Sequence, residues 1–366
     1  MRKILAGFIM DGRSGGIDRY LLNFIETVHD QTQVDLLTNE IDSELEQELK
    51  KYNTRLFAIA NLKHPFAQYR QVRKILREGA YDAVYLNIST AIDCIAAIAS
   101  KHEKIPVRMI HSHSSGNDCE SAVKRNVYNM IHRMCRCFLH RYATRYYGCS
   151  VCAGEWMFPK NIVASDRFEV IFNAVDRRKY AYDATVRQEV RRELGVEDRF
   201  VVGHAGNFCY QKNHLFLIDV FEEIRKRMPD AVLLLVGDGI RFEAVKEKAK
   251  EKGLEPYVRL LGRRSDMGRL YQAMDVFVLP SNFEGLPIAG IEAQSSGLPC
   301  FMSSRITEES KITKECRFLP LEAGPSAWAE TIAGARDVRK AAEFLENADD
   351  YDLENQKRQL LEIIKE

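Results

Sequence analysis

The sequence lacks any apolar run that approaches the roughly 20 residues needed to span a bilayer. Its first residues, Met1-Arg2-Lys3 and a short apolar run that Asp11 interrupts, lack the length and the cleavage site of a secretory signal. An excess of one sign of charge is also missing, because the formal net charge is only +1. This balance excludes a global bias toward nucleic acid. These absences predict a globular cytoplasmic protein whose electrostatic signals are local.

A disulfide framework and a metal site are equally poorly supported. The nine cysteines are an odd number, which argues against a secreted, disulfide-bonded protein. Cys149-x-x-Cys152 has no second pair of the same spacing to complete four zinc ligands. Asp350-Tyr351-Asp352 has the D-x-D pattern of some metal sites but lies between helical segments, where it favours helix-start chemistry. The sequence therefore predicts reduced thiols and no bound metal.

Short apolar runs alternate with helical segments throughout the 366 residues, a length that suits two domains. The runs predict strands at 2–9, 34–37, 55–59, 83–86, 107–110, 200–205, 231–236, 258–261, 276–279 and 299–303. Such alternation is typical of α/β domains with mostly parallel sheets. Asn173-Ala174-Val175-Asp176, followed by a charged stretch, predicts the junction between the domains.

Two carboxylates bracket a junction that follows the strand predicted at 276–279. The chain passes from this strand through a polar loop into a helix predicted to begin at Pro287. Such a junction presents unpaired backbone N–H groups and a helix dipole to anionic ligands. Glu284 and Glu292 would fit there if each gripped hydroxyl groups of the same ligand, as a nucleotide sugar requires. Two acids eight residues apart also occur by chance, so spacing alone leaves both interpretations open.

Other predicted strands end in loops suited to the same ligand. Lys212 lies beside a predicted helix N-terminus, where it would neutralise phosphate, and Arg263 lies in a basic loop after residues 258–261. The glycine-rich turn with Gly15 and Gly16 lets backbone approach a ligand, although it lacks the dinucleotide fingerprint. Gly237, in Gly-Asp-Gly, is only a weak cofactor signal by itself.

Two histidines, His111 and His113, follow the strand predicted at 107–110. The carboxyl end of an inner strand is where α/β sites are built, and a neutral imidazole donates to hydroxyl or phosphate oxygens. A pair of solvated loop histidines is the alternative interpretation.

Residues 121–145 predict a basic amphipathic helix. No acidic residue occurs from Ser121 to Gly154, and apolar residues recur at helical spacing. We expect the apolar side to pack on the domain core, and the basic side either to lie on anionic lipid head groups or to be merely solvated. RNA-binding signatures are absent, which weighs against nucleic acid.

The order of motifs in the second half closely resembles glycosyltransferase family 4, above all its bacterial branch for capsular and extracellular polysaccharides. These motifs are Gly206 to Lys212-Asn213-His214, Gly237-Asp238-Gly239, Gly262-Arg263, and Glu284-Gly285-Leu286-Pro287 with Glu292 completing E-x7-E. The resemblance covers nearly the whole chain. In the first half it includes Gly15-Gly16, His111-Ser112-His113 and Asn173-Ala174-Val175-Asp176.

This resemblance implies the GT-B fold, two doubly wound Rossmann-like domains facing across a cleft. Residues 1–175 would form the acceptor-side domain, residues 176–344 would bind the nucleotide sugar, and a helix of about 345–366 would cross back onto the first domain. It further implies a retaining, metal-independent hexosyltransferase without a cofactor. The donor would be a nucleotide sugar, with UDP our choice, and the acceptor a saccharide or lipid-linked saccharide at the inner membrane face.

The resemblance also assigns roles to individual residues. Glu292 would hold the ribose and Glu284 the donor sugar, and a histidine, first His111 and second His113, would face that sugar. The diphosphate would contact Lys212, Gly16 and the backbone near Leu286, and Arg263 would border the base. The full donor-binding set is Gly15, Gly16, Asn207, Lys212, Gly237, Arg263, Glu284, Gly285, Leu286, Pro287 and Glu292.

One position departs from the family pattern. Asn207 stands where the family usually has an arginine that pairs with the diphosphate, and a neutral donor bonds about half as strongly as a charged one. Arg263 or Arg13 would be the compensating charge. Two other functions remain open: a nucleotide-sugar epimerase of the same fold, which needs no acceptor, and a non-catalytic nucleotide-binding partner subunit.

Overall fold

The computed structural model describes residues 1–12, 15–336 and 338–365, so Arg13 lies outside the described residues. The chain forms two compact units. The first contains Met1–Asn117, Ser121–Ala174 and the chain from Leu353 onward, and the second contains Asp118–Glu120 and Val175–Asp352. These units differ from the expected domain limits at residue 175, at 118–120 and at 345–352, all of which belong to the second unit.

The first unit is built on a seven-stranded parallel sheet in the order β3-β2-β1-β4-β5-β6-β7. Its strands are β1 Arg2–Gly7, β2 Thr32–Thr38, β3 Leu56–Ala58, β4 Ala83–Ile88, β5 Val107–Ser112, β6 Arg145–Gly148 and β7 Phe168–Val170. Its helices up to the junction are α1 Gly16–Val28, α2 Ser43–Leu49, α3 Pro65–Gly79, α4 Ile95–His102, α5 Ala122–Leu139, α6 Val151–Met157 and α7 Lys160–Val163. All six residues of β4 are buried, as expected of a strand covered by helices on both faces.

The second unit is built on a six-stranded parallel sheet in the order β10-β9-β8-β11-β12-β13. Its strands are β8 Val201–Ala205, β9 Val232–Val236, β10 Val258–Leu260, β11 Val276–Leu279, β12 Cys300–Ser303 and β13 Cys316–Leu319. Its helices are α8 Ala184–Glu193, α9 His214–Arg227, α10 Phe242–Glu251, α11 Met267–Ala273, α12 Ile288–Ser295 and α13 Gly324–Ala333. One buried cluster, which includes Phe221, Leu233 and Trp328, forms its core.

The last helix, α14 (Leu353–Ile363), belongs to the first unit. Its Leu360 and Ile363 are buried in the same cluster as Phe24 of α1. Gln356 fixes the helix further, because its amide donates to the carbonyl of Phe172 at 2.7 Å. The helix expected over about 345–366 is an α-helix only in part, since residues 346–351 form a short 3-10 segment before α14.

Both sheets place their first strand beside their fourth, which is the doubly wound order. The order reverses between β1 and β4 in the first unit and between β8 and β11 in the second. Loops that leave neighbouring strands there diverge to opposite faces, so ligands bind outside the carboxyl ends of these strands. No helix in the described part of the chain is long and apolar enough to cross a membrane.

Candidate functional site

Glu284 is the best anchored acidic side chain at the switch point of the second unit. Lys212 Nζ lies 2.7 Å from its Oε1, and the Ser281 hydroxyl donates to the same oxygen at 2.7 Å. The Gln211 amide donates to Oε2, also at 2.7 Å. Only 5% of the Glu284 side chain and 15% of the Lys212 side chain are exposed. The loops after β8 and β11 thus bring together a lysine and a carboxylate that are 72 residues apart.

Glu292 lies on α12 and is also buried. The Tyr180 hydroxyl donates to its Oε1 at 2.8 Å, and the Tyr271 hydroxyl donates to its Oε2 at 3.0 Å. Pattern reasoning did not single out either tyrosine, because one tyrosine in a charged stretch and another on an ordinary helix give no sequence signal.

The loop between β11 and α12 is well packed. Gly285, Leu286 and Pro287 are all buried, and the Pro287 carbonyl accepts from the N–H groups of Gly290 and Ile291. Pro287 itself has a non-helical ψ of 84°, so α12 begins at Ile288 and not at the proline as expected.

Glycines let the loops after β8 and β9 touch. Gly237 has a φ of +134°, and a Cβ there would lie 2.1 Å from the Gly206 carbonyl oxygen. The Gly206 N–H donates to Val236 O, and the Phe208 N–H donates to Asp238 O. In this structure Gly237 supports the shape of the Lys212 loop through close packing of backbone.

Two carboxylates of the segment Asp118–Glu120 bind the Lys212 loop, and sequence reasoning missed both. The Gln211 N–H donates to Asp118 at 2.6 Å, and the Tyr210 N–H donates to Glu120 at 2.7 Å. Glu120 also forms an ion pair with Arg241. These two backbone N–H groups therefore already have carboxylate acceptors within the second unit.

Two further loop residues named from the sequence lie at the surface. Arg263 is exposed in the loop after β10, and Asn207 is exposed in the loop after β8. Both loops leave the carboxyl edge of the second sheet.

In the first unit, His111 and His113 form an aromatic cluster with the buried Tyr20 and Tyr85. The Tyr85 hydroxyl and His111 Nδ1 are 2.7 Å apart, and the two imidazole rings are 4.0 Å apart. His111 is fully buried, whereas His113 is partly exposed and its Nε2 lies 2.9 Å from Asn87 Oδ1. Burial lowers the pKa of His113 to about 3 and that of His111 well below its usual value, so both are neutral at pH 7.

The loop after β1 is organised by Asp18, which sequence reasoning also missed. Its carboxylate accepts from the N–H groups of Met10, Asp11 and Gly12 at 2.9–3.1 Å. Burial raises the pKa of this carboxyl, and the backbone donors oppose that effect. Gly16 begins α1, and Gly15 before it is exposed.

Helix α5 leaves an apolar stripe at the surface of the first unit. The stripe consists of Val123, Val127, Met130 and Met134, all exposed and spaced four, three and four residues apart. His132 and Leu139 make the buried contact instead, since His132 bonds the Ala91 N–H at 3.1 Å and the Trp156 carbonyl at 3.0 Å. The expectation that the apolar side packs on the core is therefore wrong for this stripe. Lys124, Arg133 and Arg141 are exposed as well.

Metal-ligand clusters are not found in the described ranges, where no three His, Cys, Asp or Glu side chains come together. Asp349, just before the D-x-D pattern, and Asp352, its last residue, instead lie 2.6 and 3.8 Å from Arg177.

Comparison with solved structures identifies the fold. The crystal structure of HepE from Anabaena in complex with UDP and glucose superposes with a TM-score of 0.77 at 21% identity, over 100% of both chains. WaaG, a glycosyltransferase involved in lipopolysaccharide biosynthesis, has a TM-score of 0.69 at 14% identity over 98% of this chain and 95% of its own. Two Rossmann-like parallel-sheet units of this kind define the GT-B fold of glycosyltransferases.

Sequence comparison then identifies the family. The family model described as Glycosyltransferase Family 4 matches residues 14–179, and that described as Glycosyl transferases group 1 matches residues 199–335. The putative glycosyltransferase EpsF of Bacillus subtilis (strain 168) is 30% identical over 343 residues, or 90% of this chain and 87% of that protein. An Escherichia coli UDP-Gal:alpha-D-GlcNAc-diphosphoundecaprenol alpha-1,3-galactosyltransferase is 30% identical over 63% of this chain and 60% of its own length. The chain therefore belongs to glycosyltransferase family 4.

Proposed function

We propose that this glycosyltransferase moves a hexose from a UDP-sugar to a saccharide or lipid-linked saccharide acceptor in cell-surface polysaccharide synthesis. The transfer retains the anomeric configuration and needs no metal ion or other cofactor. The observation that carries the proposal is the Lys212–Glu284 pair at the switch point of the second sheet. A buried cation and a buried carboxylate in contact can serve the two halves of a nucleotide sugar, since one binds phosphate and the other binds hydroxyl groups.

Lys212 stabilises the leaving group in this mechanism. Breaking the bond between the anomeric carbon and phosphate leaves negative charge on the nucleotide, which a fixed ammonium group and backbone N–H donors stabilise without a metal. When the diphosphate binds, Lys212 exchanges its contact with Glu284 for the phosphate oxygens. Glu284, still held by Ser281 and Gln211, then accepts hydroxyl groups of the donor sugar. Arg263, Asn207 and the backbone of residues 285–287 complete the donor site.

His113 is the better candidate for the histidine that contacts the donor sugar. It is partly exposed, while His111 is fully buried behind it and bonded to Tyr85. Because its pKa is lowered to about 3, His113 is a neutral hydrogen-bonding group that adds no charge beside the developing sugar cation. We assign His111 to orienting the cluster, and Gly15 and Gly16 to close approach of the diphosphate. Attack from the face of the leaving group, assisted by a phosphate oxygen, accounts for retention.

Relatives support the donor and acceptor classes. HepE was crystallised with UDP and with UDP-glucose, the Escherichia coli relative is named as a UDP-galactose transferase, and a Staphylococcus aureus relative is named for capsular polysaccharide biosynthesis. A diphosphoundecaprenol-linked acceptor, as the Escherichia coli name states, would place the reaction at a membrane surface.

Glu284→Gln tests the transferase function, because it keeps the side-chain shape and removes the charge. We expect release of UDP from a UDP-sugar, with lipid-diphosphate-linked saccharide as acceptor, to fall by about 10²–10³-fold while UDP still binds. Glu322→Gln, at an exposed ion pair with Arg305, is the matched control. Full transfer by the Glu284 variant would refute the assignment, and epimerisation of the donor without acceptor would establish the other enzyme class.

Helix α5 is the part of the first unit that we propose lies on the membrane. Its exposed stripe of valine and methionine can enter the head-group region, and its exposed cations suit anionic lipid, each contributing about 1 kcal/mol. This surface would bring a peripheral enzyme to a lipid-linked acceptor.

Vesicle sedimentation tests this surface. The protein should bind phosphatidylglycerol vesicles more tightly than phosphatidylcholine vesicles, and Val127→Asp or Met134→Asp should reduce binding about 10-fold or more by removing apolar burial. Ile240→Asp is the control, because Ile240 is equally apolar and 80% exposed but lies in the second unit. Equal binding by all variants would exclude the stripe as the contact.

A further inference from the structure

Glu292 is held between two phenol groups that come from different elements of the second unit. Tyr180 ends the short 3-10 segment Arg177–Tyr180, and Tyr271 lies on α11. Their hydroxyls donate to different oxygens of the carboxylate, at 2.8 and 3.0 Å. The two bonds fix both the position of the carboxylate and the rotation of its plane, since each oxygen has its own donor.

The phenols are themselves immobilised. The Tyr271 ring is fully buried and packs edge-on against Phe277 and Tyr180, with ring centres 5.8 and 5.9 Å away. The Gln272 amide donates to the Tyr180 carbonyl at 3.2 Å and so ties the 3-10 segment to α11. Gly268 allows this close packing, because a Cβ there would lie 2.8 Å from the Lys179 carbonyl oxygen.

Tyr271 remains a donor at neutral pH. Burial raises its pKa well above the ordinary value of 10, and the adjacent Glu292 carboxylate raises it further. Hydrogen bonds from a neutral phenol to a carboxylate are charge-assisted and therefore stronger and more directional than neutral ones.

The following inference rests on the proposed function, in which Glu292 binds the ribose. We propose that Tyr180 and Tyr271 are positioning residues that aim Glu292 at the two ribose hydroxyls and so select ribonucleotides over 2′-deoxyribonucleotides. A carboxylate offers about four acceptor positions, so it accepts from phenols and from a diol together. A fixed, buried acceptor rejects a ligand that lacks one hydroxyl, because the carboxylate cannot turn to recover the lost bond.

Calorimetric titration with UDP and with 2′-deoxy-UDP tests the inference. We expect the wild-type protein to prefer UDP by about 10-fold or more, the effect of one charge-assisted hydrogen bond. Tyr271→Phe and Tyr180→Phe should each lower UDP affinity and leave 2′-deoxy-UDP affinity nearly unchanged, so the preference falls to about 3-fold or less. Tyr182→Phe, which changes a neighbouring tyrosine stacked on Arg339, should keep the wild-type preference.

Other outcomes distinguish a failure of the positioning inference from a failure of the proposed function. If both affinities fall by the same factor, or if the preference persists in both phenylalanine variants while thermal melting shows an intact fold, the positioning role is overturned. A wild-type protein that transfers sugar from a UDP-sugar without any ribose preference overturns the inference and leaves the proposed function standing. If neither UDP nor GDP binds and no nucleotide sugar reacts, the proposed function fails and takes this inference with it.

Discussion

The two units share one strand order but differ in the chemistry of the loops at their switch points. In the first unit, backbone N–H groups of the loop after β1 donate to Asp18 of α1. The neighbouring histidines and tyrosines form a neutral, hydrogen-bonded cluster. In the second unit the loop after β8 carries Lys212, and the loop after β11 carries Glu284, and these two charged groups meet. Neutral aromatic groups thus occupy one switch point and a buried ion pair the other.

This difference separates what the fold supplies from what the side chains supply. The doubly wound order provides both units with loops at the carboxyl ends of central strands. Among the described residues, the second unit combines such a loop with Lys212, a cation suited to phosphate, and function follows the residues and not the topology.

The largest effect should come from removing that cation. Lys212→Met should lower the rate of transfer by about 10²–10³-fold, because the leaving diphosphate loses its fixed positive charge. Removing the cation beside the buried Glu284 carboxylate should also destabilise the second unit by about 3–5 kcal/mol, which thermal melting would detect. Lys248→Met, at a half-exposed pair with Asp219, is the control. Unchanged UDP release by the Lys212 variant would remove the chemical distinction between the units.

An intermediate effect concerns the stability of the folded protein in acid. This stability depends on neutral, buried imidazoles, which occur in both units. Burial lowers the pKa of His204 to about 4, below the ordinary value of 6.5, and the unfolded chain therefore binds a proton first as pH falls. Stability from His204 is complete above pH 6.5 and is lost toward pH 4, by about 2 kcal/mol between pH 7 and pH 5.

His204→Asn tests this dependence, because asparagine can keep the hydrogen bond from His204 Nδ1 to Val278 O and does not titrate. Thermal melting between pH 7 and pH 5 should become flatter in this variant. The control is His64→Asn, since His64 is exposed in the first unit. An equally steep acid dependence in the His204 variant would assign the effect to other groups.

The smallest expected effect is a gain in affinity for UDP. Asn207→Arg should tighten UDP binding about 5-fold, because a charge-assisted bond to the diphosphate replaces a neutral one. Asn207→Gln, which lengthens the side chain without charge, should leave the affinity near that of the wild type. Calorimetry that finds equal affinity for the arginine and glutamine variants would mean that Asn207 does not face the phosphates.

Periodicity predicted the inner strands well because they are apolar and buried on both faces. The run at 276–279 coincides with β11, for example. Three strands were missed, namely Arg145–Gly148, Phe168–Val170 and Cys316–Leu319. They lie toward the outer ends of the sheets, where polar side chains such as Glu169 and Arg317 are tolerated and hide the apolar pattern.

Parts of the candidate site were predictable for a similar reason. The motif order identified Lys212 and Glu284 as residues of one site, although their direct contact depends on two crossovers that spacing does not reveal. Tyr180, Tyr271 and Asp118 carry no motif, and their roles arise only from tertiary packing.

Helix α5 marks another limit of pattern reasoning. Helical periodicity locates an apolar stripe but does not say which part of the helix reaches the core. In this helix a buried histidine and Leu139 make that contact, and the valine and methionine stripe is left at the surface.

The return of α14 to the first unit has a consequence for the order in which the protein is made. The ribosome completes residues 175–352, nearly all of the second unit, before it synthesises Leu353–Ile363. Until then the first unit exposes the apolar patch around Phe24 that Leu360 and Ile363 later cover. The nascent first unit leaves the ribosome first and is completed last. It is therefore exposed to proteases and chaperones for the longest time.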